Sequence, residues 1–146
     1  MYKFTTSFLL LILCIHIISC GTKKPVFDPN TAKTDYISFG TGGGFTGKVN
    51  RYYLSDSGDI FVASDSMFTK IANVSTEMTN QIFKNYTVLG LDKMILNDPG
   101  NKYYFIERNI GGEKQILTWG KNPLDNTNIS TYFDILMKPV KDKNVK

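Results

Sequence analysis

The sequence predicts an α+β domain in which an antiparallel sheet carries helices on one face. Short β-favouring runs separated by turn signals lie on both sides of one amphipathic segment, and a second amphipathic segment follows them. The order strands, helix, hairpin, helix in a single core favours antiparallel pairing. The chain has 146 residues, of which 42% are hydrophobic, so it can bury a core as one small domain.

Four strands are predicted in the first part of the domain. Residues 35–39 and 48–54 are β-favouring runs on either side of a glycine-rich segment. Residues 55–58 (SDSG) are typical of a turn, and further strands are predicted at 59–63 and 68–74. These runs form a meander of neighbouring strands.

Two helices and a hairpin follow the meander. Residues 75–90 begin with a serine N-cap, end with a glycine and place their apolar side chains on one helical face. After a turn at 97–101, the runs 102–109 and 114–119 predict a hairpin through a Gly-Gly turn. A second amphipathic helix is predicted to end before Pro139, and its apolar face consists of Ile129, Tyr132, Phe133, Leu136 and Met137.

The first nineteen residues are typical of a secretory signal. Lys3 precedes an apolar run that ends at Ile18, and the small Ser19 follows it. Counted from Phe4, the apolar stretch is 15 residues, shorter than the roughly 20 that a membrane-spanning helix needs. The alternative is an anchor helix that is retained.

The segment Ile17-Ile18-Ser19-Cys20 resembles a bacterial lipobox. The resemblance implies that the Cys20 thiol is acylated, with palmitate among the acyl chains, and that the signal is removed before it. Two or more acyl chains give stable attachment, since each buried CH₂ contributes about 0.8 kcal/mol. Gly21 after the cysteine resembles the pattern for outer-membrane sorting in Gram-negative envelopes. The alternative is an ordinary thiol near a cleavage site.

Signal removal would take every histidine out of the working chain. Residues 1–19 contain Cys14 and His16, and lipid would occupy Cys20. The mature chain would then lack the groups for a disulfide, a Cys/His zinc site or a Ser-His-Asp triad. We therefore expect a protein that is not an enzyme and that has neither a metal nor another cofactor.

The predicted organisation is a signal at 1–19, a lipid-attached flexible tether at 20–34, the α+β domain at 35–138 and a basic tail at 139–146. The net charge of +4 lies at the ends of the chain. Residues 25–137 carry ten basic and twelve acidic side chains, so the domain has no basic excess for a nucleic-acid partner.

The glycine-rich segment at 40–47 is the one motif that points toward a ligand. Gly42, Gly44, Gly47 and Val49 match the spacing of a protein-kinase nucleotide loop. A mature chain without histidine cannot supply the kinase catalytic loop, so we expect no nucleotide. The glycines instead indicate positive φ angles and close backbone approach at a turn or bulge. This leaves Phe45 either at an exposed tip or folded beneath it as a cap on the core.

A second resemblance involves the same segment. Gly43-Gly44-Phe45-Thr46-Gly47 before a strand, then a helix, a hairpin opened by a turn at Pro99 and a closing helix, resembles the layout of emfourin, a small protein inhibitor of thermolysin-like metalloproteases. The layout spans roughly 36–137, and only GGFTG matches residue by residue. The resemblance implies that the chain binds a protein partner, which for an emfourin-like inhibitor is a protease. The candidate contact residues are Gly43, Gly44, Phe45, Thr46 and Gly47. It identifies no inhibitory residue.

Two weaker patterns have alternative interpretations. Asp56, Asp59 and Asp65 are close in sequence and offer carboxylates for glycoside hydrolysis or calcium binding, but Asp56 and Asp59 also fit a simple β-turn. Trp119 is suited to stacking on a sugar or to a place in the core. The predicted function is a lipid-anchored, non-catalytic envelope protein that binds a protein or envelope component. An emfourin-like inhibitor is the alternative, and a carboxylate-based glycan hydrolase is a third hypothesis.

Overall fold

The computed structural model describes residues 27–30, 35–64, 67–120 and 127–143. These residues form one seven-stranded sheet and two α-helices, which confirms the predicted α+β class. The strands are β1 Tyr36–Gly43, β2 Asn50–Ser55, β3 Asp59–Ser64, β4 Met67–Asn73, β5 Asn97–Asp98, β6 Lys102–Ile110 and β7 Glu113–Trp119. The helices are α1 Thr76–Val88 and α2 Thr127–Lys143, and a short 3₁₀ helix, Leu91–Lys93, follows α1.

The sheet has the order β4-β3-β2-β1-β6-β7-β5, with β1 in the centre. Strands β1 to β4 form a meander, and β6 pairs with the other side of β1. All neighbours are antiparallel except β5 and β7, which run parallel. The predicted hairpin is present, because β6 and β7 pair antiparallel and turn at Gly111 and Gly112.

Helix α1 has the boundaries that its capping residues predict. The hydroxyl of Ser75 accepts a hydrogen bond from the Met78 backbone N–H at 3.3 Å, and Glu77 lies in the first turn, where its charge suits the helix dipole. The helix gives way to Leu89 and then to Gly90 in the left-handed conformation.

Helix α2 extends beyond the end that its proline predicts. We expected it to stop before Pro139, but it continues to Lys143, so that prediction is wrong. Proline lacks an N–H and normally interrupts a helix at this point. Here the following turn still contributes to the core, since Val140 is only 3% exposed, and tertiary packing outweighs the lost hydrogen bond.

Two other boundaries differ from the sequence prediction. Strand β1 runs through the first glycines and ends at Gly43 rather than at Phe39. Strand β5 occupies Asn97 and Asp98, where only a turn was predicted. Both differences arise from partners that are remote in sequence, because β6 extends β1 and β7 supports β5.

The main core lies between the sheet and the two helices. The hydroxyl of Tyr132 in α2 donates to the backbone carbonyl of Ile82 in α1 at 2.9 Å, which joins the two helices inside the core. The buried residues of this core are Ile37, Phe39, Leu54, Ile60, Ile82, Tyr86, Leu91, Ile106, Leu117, Trp119, Ile129, Tyr132, Phe133, Leu136 and Val140.

The opposite side of the sheet, here called the second face, is also covered near its centre. Tyr36, Ser38 and Tyr53 point to this face and are buried. Phe27 covers part of it, with its ring stacked on that of Phe61 at 4.4 Å between centroids and in contact with Phe68. The predicted tether at 20–34 thus includes four residues, 27–30, that the structure describes, and the first of them lies on the sheet.

Within the parts of the chain that the structure describes, neither helix has the length and apolar character that crossing a bilayer requires.

Buried tyrosines are expected to make the domain less stable at alkaline pH. Burial raises the pKa of Tyr86 to about 12, although the nearby Arg108 guanidinium lowers it in part. Burial also raises the pKa of Tyr132 above its usual range. In the unfolded chain a tyrosine ionises near pH 10, so between about pH 10 and 12 the unfolded state loses protons that the folded state retains.

We therefore predict that these tyrosines leave the free energy of unfolding unchanged between about pH 7 and 9 and lower it as pH rises above about 10. Tyr86 alone contributes a loss of about 1 kcal/mol by pH 11. Urea unfolding at pH 7, 9 and 11 measures the loss, and Tyr86→Phe should reduce the difference between pH 9 and 11 by that amount. An equal difference in the variant and the original protein would contradict the prediction.

Candidate functional site

Phe45 is fully exposed at the tip of the glycine loop, residues 44–49, which joins β1 to β2. The sequence left two places open for this ring, and the structure places it in solvent rather than on the core. Val49 at the end of the loop is also exposed. An exposed phenylalanine on a short connection is a candidate contact residue for another protein.

The base of the glycine loop is hydrogen-bonded to Asn101, the residue directly before β6. Gly43 and Gly44 have φ angles of +83° and +75°, which side chains rarely tolerate. The Gly44 N–H donates to the Asn101 carbonyl at 2.6 Å. A Cβ atom on Gly43 would overlap that same carbonyl oxygen. The backbone can therefore reach Asn101 only because these positions are glycines.

The loop closes on itself beyond this base. The Gly47 N–H donates to the Gly44 carbonyl at 3.1 Å, and the Lys48 N–H reaches the Thr46 hydroxyl at 3.4 Å. These contacts form a tight turn with Phe45 at its apex. The ring is thus presented in one backbone conformation, which reduces the entropy that a partner would have to remove on binding.

A shallow cavity of about 370 Å³ lies beside the loop. Its walls include two lysines, Lys48 from the loop and Lys102 from the start of β6, together with the phenol of Tyr103. An apolar tip beside two cations favours a partner surface that offers an apolar pocket with acidic groups at its rim.

The spacing of the glycines in β1 has a packing explanation. Gly42 pairs with Tyr103 and Gly40 pairs with Phe105 across the β1–β6 ladder. A Cβ atom on Gly42 would overlap the Tyr103 ring, and one on Gly40 would crowd the Phe105 ring and overlap the Asn50 carbonyl. Alternate glycines thus let aromatic rings from β6 lie directly on the central strand. Of the glycines that matched a nucleotide loop, Gly42 therefore has a packing role.

An ion pair on the second face joins strands that do not pair with each other. Arg51 of β2 and Glu107 of β6 meet across β1, at 2.7 Å between Nη1 and Oε2. They can meet because β1 presents the small Ser38 and Gly40 between them. Arg51 also donates to the Ser38 hydroxyl at 3.1 Å, and its guanidinium lies 4.4 Å from the centroid of the Phe105 ring.

Two tyrosines complete this polar cluster. The Tyr36 hydroxyl donates to Oε1 of Glu107 at 3.3 Å, so both carboxylate oxygens have a partner. Burial raises the pKa of Tyr36 and of Tyr53, and the Glu107 carboxylate raises that of Tyr36 further. Glu107 of β6 is thus joined to β1 through Tyr36 and to β2 through Arg51. The sequence analysis missed this cluster, because its members lie on three strands and meet only through the register.

The weaker sequence candidates do not converge on a site. Asp56 is exposed in the β2–β3 turn, and Asp59 is paired with Lys70 and accepts a hydrogen bond from Asn73. Asp65 lies outside the described residues. Trp119 is 3% exposed within the core, so its ring is not accessible to a sugar.

No group of three or more His, Cys, Asp or Glu side chains that could hold a metal ion is present in the described part of the chain. The lipobox and Cys20 lie outside the described residues. A scan against protein-family models and a search of curated proteins each find no match to the chain.

Two glycines of the same segment provide a matched test of the loop base. Gly43→Ala should lower the free energy of unfolding by more than about 2 kcal/mol, because it adds both backbone strain and an overlap with the Asn101 carbonyl. Gly47→Ala should cost about 1 kcal/mol, since its φ is +61° but no atom lies within 4 Å of the added Cβ. Chemical denaturation measures both values. Equal losses would show that the contact with Asn101 does not restrain the loop.

Proposed function

We propose that this protein is a lipid-anchored component of the bacterial cell envelope that acts by binding a protein partner through the glycine loop. The observation that carries the proposal is the complete exposure of Phe45 on a loop whose base is restrained. The proposal gives the chain no catalytic step. Its anchor is the lipid that the lipobox implies at Cys20, and Gly21 supports attachment to the outer membrane.

Exposure of Phe45 is costly unless a partner covers it. Burying a phenylalanine side chain gains about 1.5–3 kcal/mol relative to leaving it in water. Aromatic residues that enter a partner's pocket contribute much of the binding energy of protein interfaces. Because the Gly44 N–H already fixes the base of the loop, most of that gain remains available for binding.

The position of Phe27 limits how far the domain can stand from the membrane. Phe27 packs on the second face, and seven residue steps separate it from Cys20. A fully extended chain spans at most about 3.6 Å per residue, so the proposed lipid site lies within about 25 Å of the Phe27 backbone. A tether running to Asp35 would reach about twice as far. We infer that the domain works close to the membrane surface and meets its partner there.

Inhibition of a thermolysin-like metalloprotease is the second candidate function. It is favoured by one specific observation, which is that the GGFTG segment forms an exposed, restrained loop with Phe45 at its tip. A loop of this kind can occupy a cleft without a large loss of entropy. The proposed general function includes this case, with the protease as the partner.

The lipid anchor is tested by the mass of the mature protein. Expression in a bacterium that processes lipoproteins should yield a chain that begins at Cys20, with a mass increased by its acyl chains. Cys20→Ser should remain unacylated and lose its partition into detergent during phase separation. A mature chain that carries a free, unmodified Cys20 thiol would refute the anchor and leave the proposed role of Phe45 to its own test.

The role of Phe45 is tested by comparing two exposed apolar residues. Phe45→Ala should reduce crosslinking to the partner in native envelopes at least tenfold, since an aromatic anchor in an interface contributes about 2 kcal/mol or more. Val88→Ala is the matched control, because Val88 is 66% exposed and lines neither the cavity beside the glycine loop nor the cleft described below.

The same two variants test the protease case. In a titration of a thermolysin-like protease, the unaltered chain and Val88→Ala should inhibit equally and Phe45→Ala should not. Absence of inhibition by the unaltered chain at high micromolar concentration removes this candidate.

Crosslinking that is equal for both variants would refute the proposed role of Phe45.

A further inference from the structure

A second cleft lies at the other end of the β6–β7 hairpin. It has a volume of about 390 Å³ and separates the segment 92–97 from the edge of β7. Strand β5 pairs with β7 only at Thr118 and Trp119, so the earlier part of β7 is left open toward the cleft. Arg108 lines it, six residues along β6 from Lys102, which places it about 20 Å from the glycine loop.

The floor of the cleft is held by a set of hydrogen bonds. The side-chain amide of Gln115 donates to the carbonyls of Leu91 and Met94 at 3.0 and 2.9 Å, and its oxygen accepts from the Tyr86 hydroxyl at 3.1 Å. Tyr86 is itself completely buried. The walls are thus fixed to the core before any ligand binds, which is favourable for a binding site.

Two polar atoms of residues that line the cleft, one acceptor and one donor, have no hydrogen-bond partner among the described residues. Oδ1 of Asp92 and Nε of Arg108 are buried, and no described residue forms a hydrogen bond with either. No carboxylate in the described residues lies within ion-pair distance of the Arg108 guanidinium, which faces the Tyr86 ring at 5.4 Å. Asp92 and Arg108 are only partly buried and line the cleft, so their remaining polar atoms face a ligand that supplies both a donor and an acceptor.

The rim of the cleft combines apolar and charged groups. Ile95 is 98% exposed and Ile116 is 54% exposed, and both line the opening. The charged side chains that line it are Asp92, Lys93, Arg108, Glu113 and Lys114, three cations against two carboxylates. The lining therefore favours a singly charged anion that carries an apolar group.

We propose that this cleft binds an N-acylated apolar α-amino acid, either as a free molecule or as the C-terminal residue of a peptide. The ligand carboxylate accepts hydrogen bonds from the Arg108 guanidinium. Its amide N–H donates to the Asp92 carboxylate, and its side chain packs between Ile95 and Ile116. Capture of a terminal carboxylate by an arginine is a known mode of peptide recognition, and one such residue fits a cavity of this size.

Other ligand classes fit the lining less well. A phosphate dianion in the cleft would meet the Asp92 carboxylate as well as Arg108, and like charges repel strongly in a partly buried site. A metal cation would meet Arg108 and would find only Asp92 and Glu113 as carboxylates. A neutral sugar would leave the charge of Arg108 without a counter-charge.

The two arginines of the chain make a direct spectroscopic test possible. Arg51 and Arg108 are the only arginines, and Arg51 is already paired with Glu107. Titration of the purified full-length product with N-acetyl-L-leucine should shift the Nε–H resonance of Arg108 and leave that of Arg51 unchanged. N-acetyl-L-leucinamide, which lacks the carboxylate, should bind at least about tenfold more weakly.

Variants separate the charge from the apolar contact. Arg108→Gln should weaken binding of N-acetyl-L-leucine at least about tenfold, whereas Lys114→Gln, which removes the same charge from the rim, should weaken it about twofold or less. Ile95→Ala should weaken it several-fold, and because Ile95 is almost fully exposed this variant tests the proposal even if Arg108→Gln does not fold.

The outcomes also distinguish the source of the ligand. Tighter binding of N-acetyl-Ala-Ala-Leu than of N-acetyl-L-leucine identifies a peptide C-terminus, and equal binding identifies the free acylated amino acid. The proposal is overturned if neither compound shifts the Arg108 resonance at millimolar concentration, or if the carboxylate and the amide bind equally. None of these results depends on the lipid anchor or on Phe45.

Discussion

The rest of the structure depends on the burial of β1 on both of its faces. On the side of the helices, β1 contributes Ile37 and Phe39 to the main core. On the second face it contributes Tyr36, Ser38 and Gly40. On the second face the small residues are essential, because they leave room for side chains from the neighbouring strands. Larger residues there would separate Arg51 from Glu107 and lift the Phe105 ring off the backbone.

The same constraint determines how the glycine loop is presented. Aromatic rings from β6 lie on the glycines of β1, so the β1–β6 ladder continues to the pair of Gly43 with Lys102. The next N–H, that of Gly44, then reaches Asn101 and fixes the base of the loop. A shorter β1, as the sequence predicts, would leave a longer loop with a free base. The exposure of Phe45 on a restrained turn is therefore a consequence of packing in the middle of the sheet.

The sequence predicted the features that depend on neighbours along the chain. The caps of α1 and the Gly-Gly turn are local signals, and both are correct because no distant contact opposes them. The end of α2 at Pro139 is also a local signal, but burial of Val140 outweighs it. Features that depend on register were not predictable from one sequence. Arg51 and Glu107 are 56 residues apart and meet only because β1 lies between their strands.

The proposed anchor and the two proposed binding sites use different parts of the sheet. The Phe27 ring lies over β2, β3 and β4, where it contacts Tyr53, Phe61 and Phe68. The glycine loop and the Arg108 cleft lie instead at opposite ends of β6. Among the described residues, the ring contacts of Phe27 thus involve neither the glycine loop nor the Arg108 cleft. A partner near the membrane that touches Phe45 would also leave the Arg108 cleft open, because about 20 Å of β6 separates them.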